Sequence, residues 1–217
     1  MLRMQKELDK IRKRFLNISV TVEETLQKMI RCVIEMDREL AQEIIMDEDK
    51  IDKMEVEMEE ECLKLLALYQ PVAADLRFII ALLKINNDME RIGDLSEHIA
   101  RRVFFLHDKK DIDFPFDFKK MSSIMLSMLK KSIDALITLD IEKAYEVLEE
   151  DDKIDAIHKQ MFYTVEETIK TSPEKIGMMI NLVGISRYVE RIADHIANIS
   201  EDIIYMIDGE IIRHNRN

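Results

Sequence analysis

Apolar residues recur every three to four positions along nearly the whole chain, the spacing that lines one face of an α-helix. Between Met4 and Met36 the stripe runs through Leu8, Ile11, Phe15, Ile18, Val22, Leu26, Met29 and Val33. A second stripe, Leu40, Ile44, Ile51, Met54, Met58, Cys62, Leu65 and Leu68, extends to Tyr69. Asp37 stands just ahead of it and is suited to cap it, because its carboxylate can accept from the orphan amides of the first turn. Pro71 predicts the opening of a third helix, where a missing amide costs nothing. That helix continues through Phe78, Leu82, Ile85, Met89, Ile92, Ile99 and Val103 to about His107. Residues 108–118 break the period and hold a proline, so they read as a connection. Three more helices follow, at about Lys119 to Thr138, Asp140 to Lys170, and Pro173 to Asp208, the last with Ser172 as its expected N-cap.

The second three helices repeat the first three. Met46-Asp-Glu-Asp-Lys-Ile-Asp52 aligns with Glu149-Glu-Asp-Asp-Lys-Ile-Asp155, and Asp37 falls on Asp140 in the same register. The pentapeptide Glu90-Arg-Ile-Gly-Asp94 returns as Glu190-Arg-Ile-Ala-Asp194. The expected fold is all-α, two tandem three-helix antiparallel bundles: residues 1–107 and 119–217, joined by the linker 108–118.

Composition narrows the setting. Four glycines and three prolines in 217 residues leave few turns, which agrees with long helices. A net charge of −12 with no basic stripe argues against nucleic acid as a partner. No apolar run approaches the roughly 20 residues of a membrane span. The start, Met1-Leu-Arg-Met-Gln-Lys-Glu7, lacks the apolar centre of a signal peptide, so a cytoplasmic address is expected. Cys32 and Cys62 fall on apolar stripes of separate helices and read as small buried thiols without chemistry.

The pentapeptides carry the candidate chemistry. A glutamate and an aspartate four apart stack on one helix face, about 6 Å apart along the axis. Like charges so placed are destabilising unless a cation lies between them. Counting back from the turn at Pro71, Asp52 comes level with Glu90 and Asp49 with Asp94; around Pro173, Asp155 comes level with Glu190 and Asp152 with Asp194. Each half can thus gather four carboxylates at one level of a helical hairpin. Glu190 and Asp194 each lie two residues from Ile192, about 200° around the helix from the middle of the core stripe, and so are expected to face away from the core. Arg91 and Arg191 flank the stripe and can offset part of the charge.

Two readings of these carboxylates stay open on spacing alone, a solvated acidic face or a cation site. As a site, oxygen donors of this kind suit Mg²⁺, Ca²⁺, Mn²⁺ or iron. His98, His158 and Glu55 stand close enough in sequence to be further ligands, whereas His107, His195 and His214 acquire no role from spacing. A metal-free helical scaffold is one alternative. A carboxylate-bridged di-iron enzyme is another, although such bundles direct Glu-x-x-His pairs inward and this chain has no such pair.

With these residues in place the chain resembles the PhoU family of phosphate-uptake regulators over essentially its whole length. The resemblance is carried by the two pentapeptides, by Ile192-Ala-Asp-His-Ile-Ala-Asn-Ile-Ser-Glu-Asp-Ile-Ile-Tyr205, by Gly209-Glu-Ile-Ile-Arg-His214 and by Gln70-Pro-Val-Ala-Ala-Asp-Leu-Arg77. It implies multinuclear metal clusters, iron or zinc, held by Glu90, Asp94, Glu190 and Asp194, with Asp49, Asp52, Asp152 and Asp155 as co-ligands. It also implies a cytoplasmic, often dimeric negative regulator without enzymatic activity. Such a protein couples the high-affinity phosphate ABC transporter to a membrane sensor histidine kinase and so acts on transcription of the phosphate-starvation response. One departure stands out: Asp94-Leu-Ser-Glu-His98 in the first copy is Asp194-His-Ile-Ala-Asn198 in the second, so the two clusters are expected to differ in nuclearity or metal.

Overall fold

A computed structural model describes residues 2–106 and 112–209. His107, positions 108–111 of the connection, and positions 210–217 with His214 lie outside the described residues. Six α-helices follow one another: α1 (Leu2–Glu35), α2 (Arg38–Tyr69), α3 (Ala73–Leu106), α4 (Phe118–Thr138), α5 (Ile141–Thr171) and α6 (Ile176–Asp208). Helices α1 to α3 pack as one up-down-up unit and α4 to α6 as a second, as the period and the repeat foretell.

The repeat is visible in the turns. Met36 and Leu139 both adopt left-handed backbone, with φ of 49° and 54°. Each is followed by an aspartate that caps the next helix. Asp37 Oδ1 accepts from the amides of Glu39 and Leu40 at 2.9 and 3.0 Å, and Asp140 Oδ1 from Glu142 and Lys143 at 3.2 and 3.4 Å. These bonds satisfy donors that the first helical turn leaves unpaired. Asp117 does the same for α4 through the Lys120 amide at 2.9 Å.

Two helix starts differ from expectation. Pro71 does not occupy the first turn of α3; it lies buried in the link before it, between Gln70 and Ala73, whose φ values of 46° and 49° turn the chain. Ser172 makes no side-chain cap. A short 3-10 turn, Pro173–Lys175, leads into α6 instead, because the proline fixes a tight first turn that supplies Lys175 N to Ser172 O at 3.0 Å.

One apolar core runs through all six helices. The α6 stripe of Leu182, Ile185, Val189, Ile192, Ile196, Ile199 and Ile203 is buried throughout. Helices α3 and α6, the third of each unit, also pack against each other. Polar pairs stitch that seam: Asp88 to His195 at 2.8 Å, Lys84 to Asp202 at 3.4 Å, and Arg102 to Asn181 at 3.3 Å. The pentapeptides therefore sit on the two helices at the middle of the molecule, each facing the partner helix of its own hairpin.

Candidate metal centre

In the first unit the hairpin of α2 and α3 brings Glu48, Asp52 and Asp94 together, with one carboxylate oxygen of each within 4.8 Å of the others. Glu48 and Asp52 are one helical turn apart on α2, and Glu90 and Asp94 one turn apart on α3. The helices approach closely here. A Cβ at Gly93 would stand 2.9 Å from Ile51 Cδ1, so a side chain there would require Ile51 to shift.

Glu90 and Asp94 are largely covered, their side chains 16% and 22% exposed, rather than directed into open solvent. Both stand near α2, whose Glu48 and Asp52 meet Asp94 and whose Asp52 and Glu55 act on Glu90. Arg91 offsets part of the charge: its Nη1 donates to Asp94 Oδ2 at 2.8 Å, and its Nε stands 3.3 Å from Glu90 Oε2. Glu90 Oε2 is nevertheless buried without a hydrogen bond.

Electrostatics registers the crowding. Burial, reinforced by Asp94, Asp52 and Glu55 and opposed by Arg91, pushes the Glu90 carboxyl up to about 7. Burial and then Asp52, Glu97 and Asp94 raise Glu48, and burial followed by Asp94 and Asp49 raises Asp52. Each upward shift disfavours the bare carboxylate, a cost that a bound cation would offset.

Asp49 is exposed and stands outside the three-carboxylate group, although its charge is felt by Glu48 and Asp52. Its neighbour Glu48 takes the inward place. The signal for Glu48 lay in the sequence, since it is Glu48, not Asp49, that stands four before Asp52.

The second unit repeats the theme more loosely. Burial, Asp194, Asp155 and Asp151 raise the Glu190 carboxyl, while Arg187 opposes them. Asp151, the counterpart of Glu48, is buried; Asp152 and Asp194 are exposed. Asp155 Oδ2 accepts from Lys159 Nζ at 2.8 Å. An open pocket of about 430 Å³ lies against Glu190 and Asp194, lined also by His158, Phe162, Arg187 and Arg191. Burial, with Arg187 and Lys159, lowers the His158 pKa against the pull of Asp155.

The remaining candidates separate cleanly. Glu55 accepts from Asn86 Nδ2 at 3.4 Å beside the first site. His98 is exposed and stacks on Tyr188 of α6. His195 is engaged with Asp88. Cys32 and Cys62 are free and fully buried, and burial pushes both thiols up to about 12.

The donor set fits a hard divalent cation: oxygen ligands gathered from two helices, one buried oxygen without a hydrogen bond, and a single arginine in partial compensation. It does not resemble a structural zinc site built of Cys and His.

A PhoU domain model matches residues 15–103 and matches again at 118–203. The chain belongs to the PhoU family. The two matched PhoU segments coincide with the two helical units, each containing one pentapeptide. Among similar proteins, a "phosphate-specific transport system accessory protein PhoU homolog" of Aquifex aeolicus is 34% identical over 98% of this chain and 96% of its own length. The PhoU crystal structure from Pseudomonas aeruginosa matches with a TM-score of 0.89 at 31% identity, covering 95% of this chain and 99% of that one. That of the phosphate transport system regulatory protein PhoU from Streptococcus pneumoniae gives 0.85 at 30% identity over 96% and 98%. These PhoU relatives are named as accessory or regulatory proteins. No helix among the described residues is long and apolar enough to cross a membrane.

Proposed function

We propose that this protein is a cytoplasmic regulatory adaptor of phosphate uptake, and that its paired carboxylate sites hold metal clusters. In this reading it represses the phosphate-starvation response by linking the phosphate ABC transporter to a sensor histidine kinase, and works as a homodimer without catalysing a reaction. The observation that carries the metal reading is the meeting of Glu48, Asp52 and Asp94 beside the buried Glu90 Oε2, which has an ion-pair contact with Arg91 but no hydrogen bond. A bound cation would neutralise these acids and stiffen the α2–α3 groove. The adaptor reading is supported by the regulatory names of relatives aligned along nearly the whole chain.

Expression in a bacterium lacking its own PhoU tests the adaptor. The wild-type chain restores repression of a phosphate-starvation reporter in phosphate-rich medium. The variant with alanine at Glu90, Asp94, Glu190 and Asp194 accumulates to the same level but fails to repress. A reporter that stays fully active with the wild-type chain present contradicts the reading.

A further inference from the structure

Far from the carboxylate sites, the end of the molecule where α6 stops holds an apolar groove and an unused donor. Ser132 of α4 bonds Ser200 of α6 at 2.7 Å, and the two helices run parallel, so counting along both brings Leu139 level with Ile207. Lys84 of α3 meets Asp202 of α6 at 3.4 Å with the helices antiparallel, which brings Phe78 level with Asp208. The start of α3, the end of α4 and the end of α6 thus share one level.

A groove of about 230 Å³ opens there between α1, α3 and α4. Buried Phe15, Leu82 and Leu136 and the more open Phe78, Ile137 and Leu139 line it, and the Arg12 guanidinium stands 4.9 Å from the centre of the Phe78 ring. Ile137 and Leu139 are 56% and 59% exposed, large apolar side chains side by side at the mouth. An apolar space of roughly 150 Å³ already takes a benzene-sized group, so this one has room for branched aliphatic side chains.

The neighbour of Phe78 supplies a second, polar observation. Arg77 Nε is buried and has no hydrogen bond among the described residues, a condition that folded proteins seldom leave uncorrected. Gly209 lies directly against it, since a Cβ there would stand 3.8 Å from that Nε. Gly209 closes α6 in the left-handed conformation, with φ of 78° and its amide donating to the Tyr205 carbonyl at 2.9 Å. Such a cap turns the chain off the helix axis.

The residues that come next are Glu210, Ile211 and Ile212, one acid and then two branched apolar side chains. Their order matches what the surface offers, first the arginine beside Gly209 and then the groove that begins at Phe78. Three extended residues span about 10 Å, enough to pass from Arg77 to its neighbour.

We propose that the segment after Gly209 docks on its own chain: the Glu210 carboxylate accepts from Arg77 Nε, and Ile211 and Ile212 cover the groove of Phe78, Ile137 and Leu139. The segment then clasps α3 and α4 together at the end of α6, fastening the first helical unit to the second.

The test is made on full-length protein with the isoleucine δ1-methyls and the phenylalanine rings labelled for nuclear magnetic resonance. A nuclear Overhauser contact from Ile211 or Ile212 to the Phe78 ring is expected, and in a mixture of differently labelled chains it is expected within one chain. The I211S/I212S variant, altered only beyond α6, is expected to keep its helical content and to bind the apolar dye anilinonaphthalene sulfonate at least twofold more brightly. E210R is expected to abolish the contact and R77E/E210R, which exchanges the charges, to restore it. Isoleucine methyls that show no contact with the groove, contacts only between different chains, unchanged dye binding in I211S/I212S, or an E210R protein that keeps the contact each overturns the inference.

Discussion

Asp88 on α3 and His195 on α6 meet at 2.8 Å across the seam between the two helical units, with both side chains mostly covered. Together with Lys84 and Asp202, this pair places polar bonds between helices that otherwise share an apolar core. Losing one partner of such a bond leaves the other partly desolvated and unpaired, which costs about 1–2 kcal/mol. D88A is therefore expected to lower stability by that amount in a denaturant titration, with unchanged slope. An unaltered midpoint would show that the pair adds nothing to the packing of α3 on α6.

The pentapeptides carry core residues as well as acids. Ile92 and Ile192 are fully buried at their centres. I192A is expected to cost about 2–5 kcal/mol through lost burial and the cavity left behind. The loss is measurable as a lower unfolding midpoint at constant helical content under native conditions. A cost below about 1 kcal/mol would mean that the surrounding helices close the space.

Glu90 gives the metal-free protein a pH dependence with a definite sign. Its folded carboxyl titrates at about 7 against 4.5 as the ordinary value, so the fold favours the protonated form. The stability this contributes is fully present below the unfolded pKa and is lost as pH rises through about 7. In chelator, E90Q is expected to gain stability relative to wild type between pH 5 and pH 8. A constant difference between the two over that range contradicts the assignment. In the metal reading a bound cation displaces the same proton, so metal affinity is expected to rise over that interval.

The thiols make a separate check on the core. Cys32 and Cys62 are inaccessible, and burial pushes each thiol up to about 12. Neither is expected to react with a thiol reagent in the native protein at pH 8, and both are expected to react after unfolding. Rapid native modification of either would contradict the packing of α1 or α2.

Much of this architecture is readable from the chain because it rests on local rules. The helices follow from hydrophobic period, and Asp37 and Asp140 cap their helices because a short carboxylate at that position reaches the first-turn amides. The repeat locates both hairpins and the acids on them. Sequence distance from a turn fixes the level of a residue along the hairpin but not its rotation about the helix. Glu48 and Asp49 stand at nearly the same level, and only the turn-by-turn match with Asp52 distinguishes the one that faces Asp94. The same limit hides that the Glu90 side chain is mostly covered, because burial depends on tertiary packing. Pro71 and Ser172 fail as helix starts because left-handed backbone at Gln70 and Ala73, and a 3-10 turn at Pro173, are settled by how the hairpins close.

The most direct test is the metal content of native protein purified without chelator, compared with the variant bearing alanine at Glu90, Asp94, Glu190 and Asp194. The account predicts several metal ions per wild-type chain, lost in the variant while its helical content is unchanged. Wild-type protein that holds no metal, even after reconstitution with iron, manganese or zinc, would contradict it and leave the carboxylates as a solvated acidic face.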